Sequence, residues 1–232
     1  MREKPVITID GPAGAGKSTI SRLLAERLSY LYLDTGALYR AVAYHLIQKD
    51  YSGNNEELAD LCRNIRVELN DRAGRLHVFV NSEDVTMKIR TEEIGLLASR
   101  ISAIPMVREV LLSVQRDMAA AGGVVAEGRD MGTVVFPDAE IKFFLDATVR
   151  ERAGRRYREL SERGEKASLR DVESDILIRD RQDRERSVAP LVAAADAVHI
   201  DSTDQTISQV VDIMMGVINK TGNAQMRTEK CP

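Results

Sequence analysis

The run Gly11-Pro12-Ala13-Gly14-Ala15-Gly16-Lys17-Ser18 constrains this chain more than any other stretch, because it meets the pattern G-x-x-x-x-G-K-[ST] at every position. Its flanks decide what it can belong to. Val6-Ile7-Thr8-Ile9 reads as a short buried strand, and Ile20, Leu23, Leu24 and Leu28 recur at helical spacing. Strand, glycine loop and helix in that order point the loop amides and the positive end of the helix dipole at one place. Gly11, Gly14 and Gly16 permit a backbone path closed to residues with a Cβ. Lys17 can then reach β- and γ-phosphates, and the Ser18 hydroxyl can ligate Mg²⁺. A plain glycine turn would need neither the lysine nor the hydroxyl. The stretch therefore predicts a nucleoside triphosphate site opening an α/β chain.

Composition excludes little but narrows the setting. A chain of 232 residues can bury a real core as one domain or two small ones. Apolar residues at 44% and charged residues at 30% are ordinary for a globular protein, and a net charge of −3 carries no global nucleic-acid footprint. No apolar run approaches the roughly 20 residues that span a bilayer. Met1-Arg2-Glu3-Lys4-Pro5 runs straight into the first strand, so no signal peptide is expected. Cys62 and Cys231 lie far apart, which argues against a disulfide framework and for the cytoplasm.

After the first helix, Tyr30 to Asp34 reads as a second strand and Ala37 to Val42 as a helix, with Thr35 as its N-cap. The Thr35 hydroxyl, the free first-turn amides and Arg40 could hold a second anion; a capped helix with a solvated arginine is the plainer reading. Residues 64–90 break the αβ rhythm. Ile65, Val67 and Leu69 alternate with polar residues, Asp71-Arg72-Ala73-Gly74 reads as a turn, and Leu76, Val78 and Val80 alternate again, which predicts a small antiparallel β insert. Helices are expected over Thr91–Ser102 and from Pro105. Val124–Glu127, Ile141–Asp146 and Val198–Asp201 complete five strands, and a last helix is expected over Ile207–Ile218, with a polar, frayed tail from Thr221.

Two further clusters carry charge. Arg129 and Asp130 sit between Gly128 and Gly132 at the carboxyl end of a parallel strand, the edge that faces ligands in such sheets. Residues 150–186 interleave both signs, as solvated helix faces do, yet concentrate Arg152, Arg155, Arg156 and Arg158 before a polar turn. Arg179, Asp183 and Arg186 recur at i, i+4 and i+7, which puts them on one helix face. Two basic clusters around a polar turn suit a helical lid, about residues 150–170, that closes over phosphates.

Taken together these pieces resemble the bacterial cytidylate kinase family over nearly the whole chain. The signatures are Ile7-Thr8-Ile9-Asp10-Gly11-Pro12, Leu33-Asp34-Thr35-Gly36-Ala37, Gly128 through Ala139, and Arg179-Asp180 through Val192. The resemblance implies a kinase core over 1–63 and 91–232 with a five-stranded parallel sheet, and a monophosphate-binding insert over 64–90. It implies transfer of the ATP γ-phosphoryl group to CMP or dCMP. The donor would lie on Gly11, Pro12, Ala13, Gly14, Ala15, Gly16, Lys17, Ser18 and Thr19, with Ser18 on the metal and Thr19 as a second hydroxyl. Thr35, Arg40, Arg129 and Arg186 would bind the acceptor phosphate. Ser99, Arg108 and Asp130 would read cytosine, Asp183 with Arg179 would meet the sugar, and Arg155 and Arg156 would be lid arginines. A monomer without membrane or nucleic-acid partner is implied. The alternatives are a kinase for another small acceptor and a GTPase-like switch. Asn219-Lys220-Thr221-Gly222 lacks the aspartate that a guanine reader needs.

Overall fold

The computed structural model describes residues 4–72 and 75–228, with side chains described over 4–70 and 76–221. Five parallel strands form the central sheet: β1 (Val6–Asp10), β2 (Leu31–Asp34), β6 (Val124–Gly128), β7 (Ile141–Asp146) and β8 (Val198–Asp201), in the order β2-β6-β1-β7-β8. Register explains where the chemistry gathers. Asp10 pairs with Gly128 and Phe144, Asp34 with Glu127, and Asp146 with Asp201, so the acids that end these strands line one edge.

The central strands β1, β6 and β7 are buried on both faces, as parallel strands between helices must be, while the edge strands β2 and β8 are partly exposed. Period-2 alternation splits the core. Ile7, Ile9, Val125, Phe143 and Leu145 pack with α1 (Lys17–Leu28) and α8 (Ile207–Thr228). On the other face Val6, Leu33, Val124 and Ala126 pack with α2 (Thr35–Gln48), α4 (Glu92–Ile101) and α5 (Pro105–Met118). The antiparallel sheet of β3 (Val67–Arg72), β4 (Arg75–Val80) and β5 (Glu83–Asp84) follows α3 (Asn55–Asn64). Its Val67, Val78, Val80 and Val85 belong to that second cluster, so the insert shares the core of α2, α4 and α5. An α-hairpin, α6 (Val149–Glu162) and α7 (Leu169–Glu185), closes over the sheet edge around a small cluster of Ala153, Val172 and Ile176.

Several expectations change. Asp34, not Thr35, caps α2: its carboxylate accepts from the Ala37 amide at 3.0 Å, as an acid does at a helix N-terminus, and Thr35 is the first helical residue. The last helix runs on to Thr228 instead of fraying at 221, since Asn, Ala, Gln, Met and Arg there tolerate helix and Thr221 Oγ1 bonds back to the Val217 carbonyl at 3.1 Å. Arg186 is the C-cap of α7: its amide still bonds the Gln182 carbonyl at 3.2 Å and its ψ of 136° turns the chain out of the helix only after it, so it lines the cleft with Arg179 and Asp183 as the i, i+4, i+7 spacing implies. Asp71 and Arg72 lie in β3. Ala73 and Gly74 of the expected turn, and Cys231, lie outside the described residues.

Candidate active site

The loop between β1 and α1 is shaped by what surrounds it. Gly11 has φ 154°, and a Cβ there would lie 1.9 Å from the Leu145 carbonyl oxygen, so the loop can rise from the sheet only with glycine at this point. Gly14 has φ 77°, and its Cβ would press on the Arg152 backbone at 3.2 Å. The loop ends in Gly16, the N-cap of α1, which makes no side-chain cap bond; α1's first amides are therefore left for a ligand. Lys17, buried, folds its ammonium onto the Pro12 carbonyl at 2.7 Å. Burial, and secondarily Arg129, lower its pKa to about 7.

Acids crowd the other side of Lys17. Glu127, buried at the end of β6, accepts the Tyr32 hydroxyl and the Ser18 hydroxyl. Burial first, then Asp34, raise the Glu127 pKa, while Lys17 opposes them. Asp10 lies deeper. Its two oxygens each accept one amide, Met131 and Gly132, at 2.8 Å, and so fix the single π-turn of residues 131–135 that follows Asp130. Burial pushes Asp10 up to about 6.

The acceptor half is built from long side chains. Arg129 Nε donates to Asp183 Oδ2 at 2.6 Å. Burial is the largest influence on both and works against both charges, yet the pairing wins, so Arg129 titrates above and Asp183 below its ordinary value. Asp130, buried, takes Arg108 on Oδ2 and Arg186 on Oδ1, the latter at 3.3 Å. Arg186 also reaches Ser102 Oγ at 3.2 Å, and Arg108 lies over the Tyr39 ring at 5.9 Å. Burial pushes the Tyr39 phenol up to about 12. Arg40 pairs with Asp34 at 3.1 Å. The Thr35 hydroxyl donates to the Glu127 carbonyl at 2.7 Å, and Ser99 lines the cleft.

One feature of this charge distribution points to an anion. The Nε atoms of Arg40 and Arg179 are buried without a hydrogen-bond partner among the described residues. Arg179 is destabilised as a cation by burial first, and then by Arg129, Arg40 and Arg156. Buried donors left open beside like charges ask for a multivalent anion to span them.

One cleft of about 880 Å³ joins both halves; Lys17, Ser18 and Thr19 line one part of it and Ser99, Arg129, Asp130, Asp183 and Arg186 another. Arg155 and Arg156 of α6 also line it, Arg155 donating to the Ser202 carbonyl at 2.6 Å. Arg152 does not. It is 2% exposed and bonded inward, so it leaves the group of phosphate-facing lid arginines. Sequence reading missed Glu127, Asp34, Tyr39 and Ser102. For the first two the signal was present, since an acid at the carboxyl end of a parallel strand beside the glycine loop faces the crevice. No helix among the described residues is long and apolar enough to cross a membrane.

Comparison with known proteins agrees with this geometry. The family model described as cytidylate kinase matches residues 7–220. A cytidylate kinase of Citrifermentans bemidjiense is 51% identical over 222 residues, 95% of each chain. That of Geobacter sp. (strain M21) is 51% identical over 216 residues, 92% of this chain and 93% of its own. That of Geobacillus sp. (strain WCH70) is 47% identical over 221 residues, 95% of this chain and 99% of its own.

Proposed function

The chain belongs to the cytidylate kinase family, and from that premise we propose that its cleft transfers the γ-phosphoryl group of ATP to CMP or dCMP, giving ADP and CDP or dCDP. The observation that carries the reading at residue level is the buried, unpartnered guanidinium nitrogen of Arg179, which shares one cleft with Arg129, Arg186 and the glycine loop, while Arg40, its Nε likewise unpartnered, adds its positive field beside it. We read residues 64–90 as the monophosphate-binding insert and about 150–170 as the lid.

The chemistry needs two anionic reactants held in line with their charge neutralised. Amides of residues 11–16 and the α1 N-terminus take the donor phosphates, and Lys17 swings from the Pro12 carbonyl onto the transferring group. Arg40, Arg129 and Arg186, with Thr35, take the CMP phosphate. As its phosphate oxygen attacks the γ-phosphorus, the bond to the ADP oxygen breaks, and no enzyme group is covalently modified. Asp183, released from Arg129 by that phosphate, accepts from the sugar hydroxyl, with Arg179 beside it. Asp130 uses two of about four lone-pair sites on Arg108 and Arg186, which leaves acceptors for the cytosine amino group. Arg155 and Arg156 bring α6 down over the donor and exclude water.

The oxygens of Ser18, Glu127 and Asp34 suit a hard cation, and Ser18, backed by Thr19, would hold Mg²⁺. When bound, that ion would supply charge neutralisation to the donor phosphates. We extend the proposal to a monomer acting without nucleic acid in the cytoplasm, where the buried free thiol of Cys62 suits a reducing environment. An ADP-release assay with ATP and a panel of CMP, dCMP, UMP, AMP, GMP and shikimate tests the assignment. CMP and dCMP should lead, and turnover led by any other acceptor would overturn it.

A further inference from the structure

We propose that Arg152 is a positioning residue that makes the donor loop and the acceptor helix one mechanical unit, so that filling either nucleotide site tightens the other. The inference rests on the ATP and CMP reading above. Arg152 is among the largest fully buried side chains of the protein, and its three guanidinium nitrogens go to three different elements. Nε donates to the Ala147 carbonyl past the end of β7 at 2.9 Å, and Nη1 to the Ala13 carbonyl of the glycine loop at 2.9 Å. Nη2 donates to Asp180 Oδ2 of α7 at 2.6 Å. Asp180 lies next to Arg179 and one turn before Asp183, both of which line the acceptor half of the cleft.

Geometry makes this a transmitter. A guanidinium is a planar, permanently charged fork, so its bonds share one rigid plane. Gly14 packs against Arg152 itself, its missing Cβ leaving 3.1 Å to the Arg152 Cβ. Phosphates that order the loop amides also order the Ala13 carbonyl, which fixes the fork, then Asp180, and with it the turn of α7 that presents Arg179 and Asp183. The pair is a poor stability device: Asp180 Oδ1 is buried with no hydrogen-bond partner among the described residues, and the second charge had to be desolvated too. Its placement between two sites is what it supplies.

The test is the coupling factor between two ligands. CMP is titrated calorimetrically into the free protein and into protein saturated with Mg²⁺ and a β,γ-imido analogue of ATP. In the wild type the analogue should tighten CMP by at least about fivefold. Two variants are compared, Arg152→Met and the double replacement Arg152→Met with Asp180→Leu. The double replacement removes both charges together and leaves no lone buried ion to unfold the chain. In each, CMP alone should bind within about threefold of wild type, and the coupling should fall below about twofold. A merely structural role would lower the melting temperature and leave the factor intact. Coupling retained in a folded variant, or absent from the wild type, overturns the inference. If the wild type binds neither nucleotide, the functional reading falls and this inference with it.

Discussion

On the donor side of the cleft, positive charge comes from backbone amides of residues 11–16 and from one lysine, which is held by a single neutral carbonyl. On the acceptor side it comes from arginines on four separate parts of the chain, and beside the open Arg179 the others are already bound to an acid: Arg40 to Asp34, Arg108 and Arg186 to Asp130, Arg129 to Asp183. A ligand entering the donor loop displaces one hydrogen bond. A ligand entering the acceptor half must trade carboxylates for its own phosphate, base and sugar. The first arrangement accepts any triphosphate that fits; the second tests the newcomer, because an acid freed from its arginine and left unmatched costs about 1–3 kcal/mol or more.

The contrast can be broken most severely at Lys17. Lys17→Ala should fold normally and lose about 100-fold or more in kcat/KM, roughly 3 kcal/mol of transition-state stabilisation. Steady-state kinetics within tenfold of wild type would show that the loop amides suffice. Next in size is base selection. The wild type should prefer CMP to UMP by at least roughly tenfold in kcat/KM. In Asp130→Asn, whose amide can donate to uracil O4, the ratio should fall toward one; equal losses on both substrates would move Asp130 out of base reading.

Asp183→Ala should raise KM for CMP by roughly fivefold and leave KM for ATP unchanged, since the lost sugar contact is partly offset by an Arg129 freed for phosphate. Equal rises in both would make Asp183 a brace for its helix. The smallest signal is a proton. Lys17 titrates near 7 in the free protein because burial disfavours its charge, whereas bound phosphates favour it and raise the pKa again. At pH 8 most free molecules carry a neutral Lys17, so nucleotide binding should take up about one proton, a number that should shrink as the pH falls below 7. Calorimetry in buffers of different ionisation enthalpy measures it, and buffer-independent heats would refute the depressed pKa.

The same contrast explains what could be read from residues alone. The donor loop is contiguous, and its chemistry is written in eight consecutive letters between a strand and a helix. The five strands were legible as apolar runs spaced by helices, but their order in the sheet, β2-β6-β1-β7-β8, came only from the structure. Ser99 and Arg108 sit on amphipathic helices whose sequence looks like any other, and only family resemblance singled them out. Arg152 resembles its neighbours Arg155 and Arg156 in every local respect; what separates them is a buried aspartate 28 positions away. Thr35 and Asp34 are both good caps, and the structure uses Asp34 because the Thr35 hydroxyl is taken by the Glu127 carbonyl. Arg186 was placed by a helical period that holds to the C-cap of α7, where it lines the cleft with Arg179 and Asp183.

Sheet register has a consequence in time. Val6 pairs with Val124, and Leu31 pairs with the same Val124, so neither of the first two strands has a neighbour until β6 has been made. At ribosomal speeds of about 5–20 residues per second that interval is on the order of ten seconds. Throughout it the apolar segment Val-Ile-Thr-Ile waits unpaired while α2, the insert and α5 are still being assembled. Those later elements carry most of the second apolar cluster and can collapse on one another first. The glycine loop that defines the active site is thus made well before it acquires its shape, since Gly11 is seated only when β7 delivers the Leu145 carbonyl.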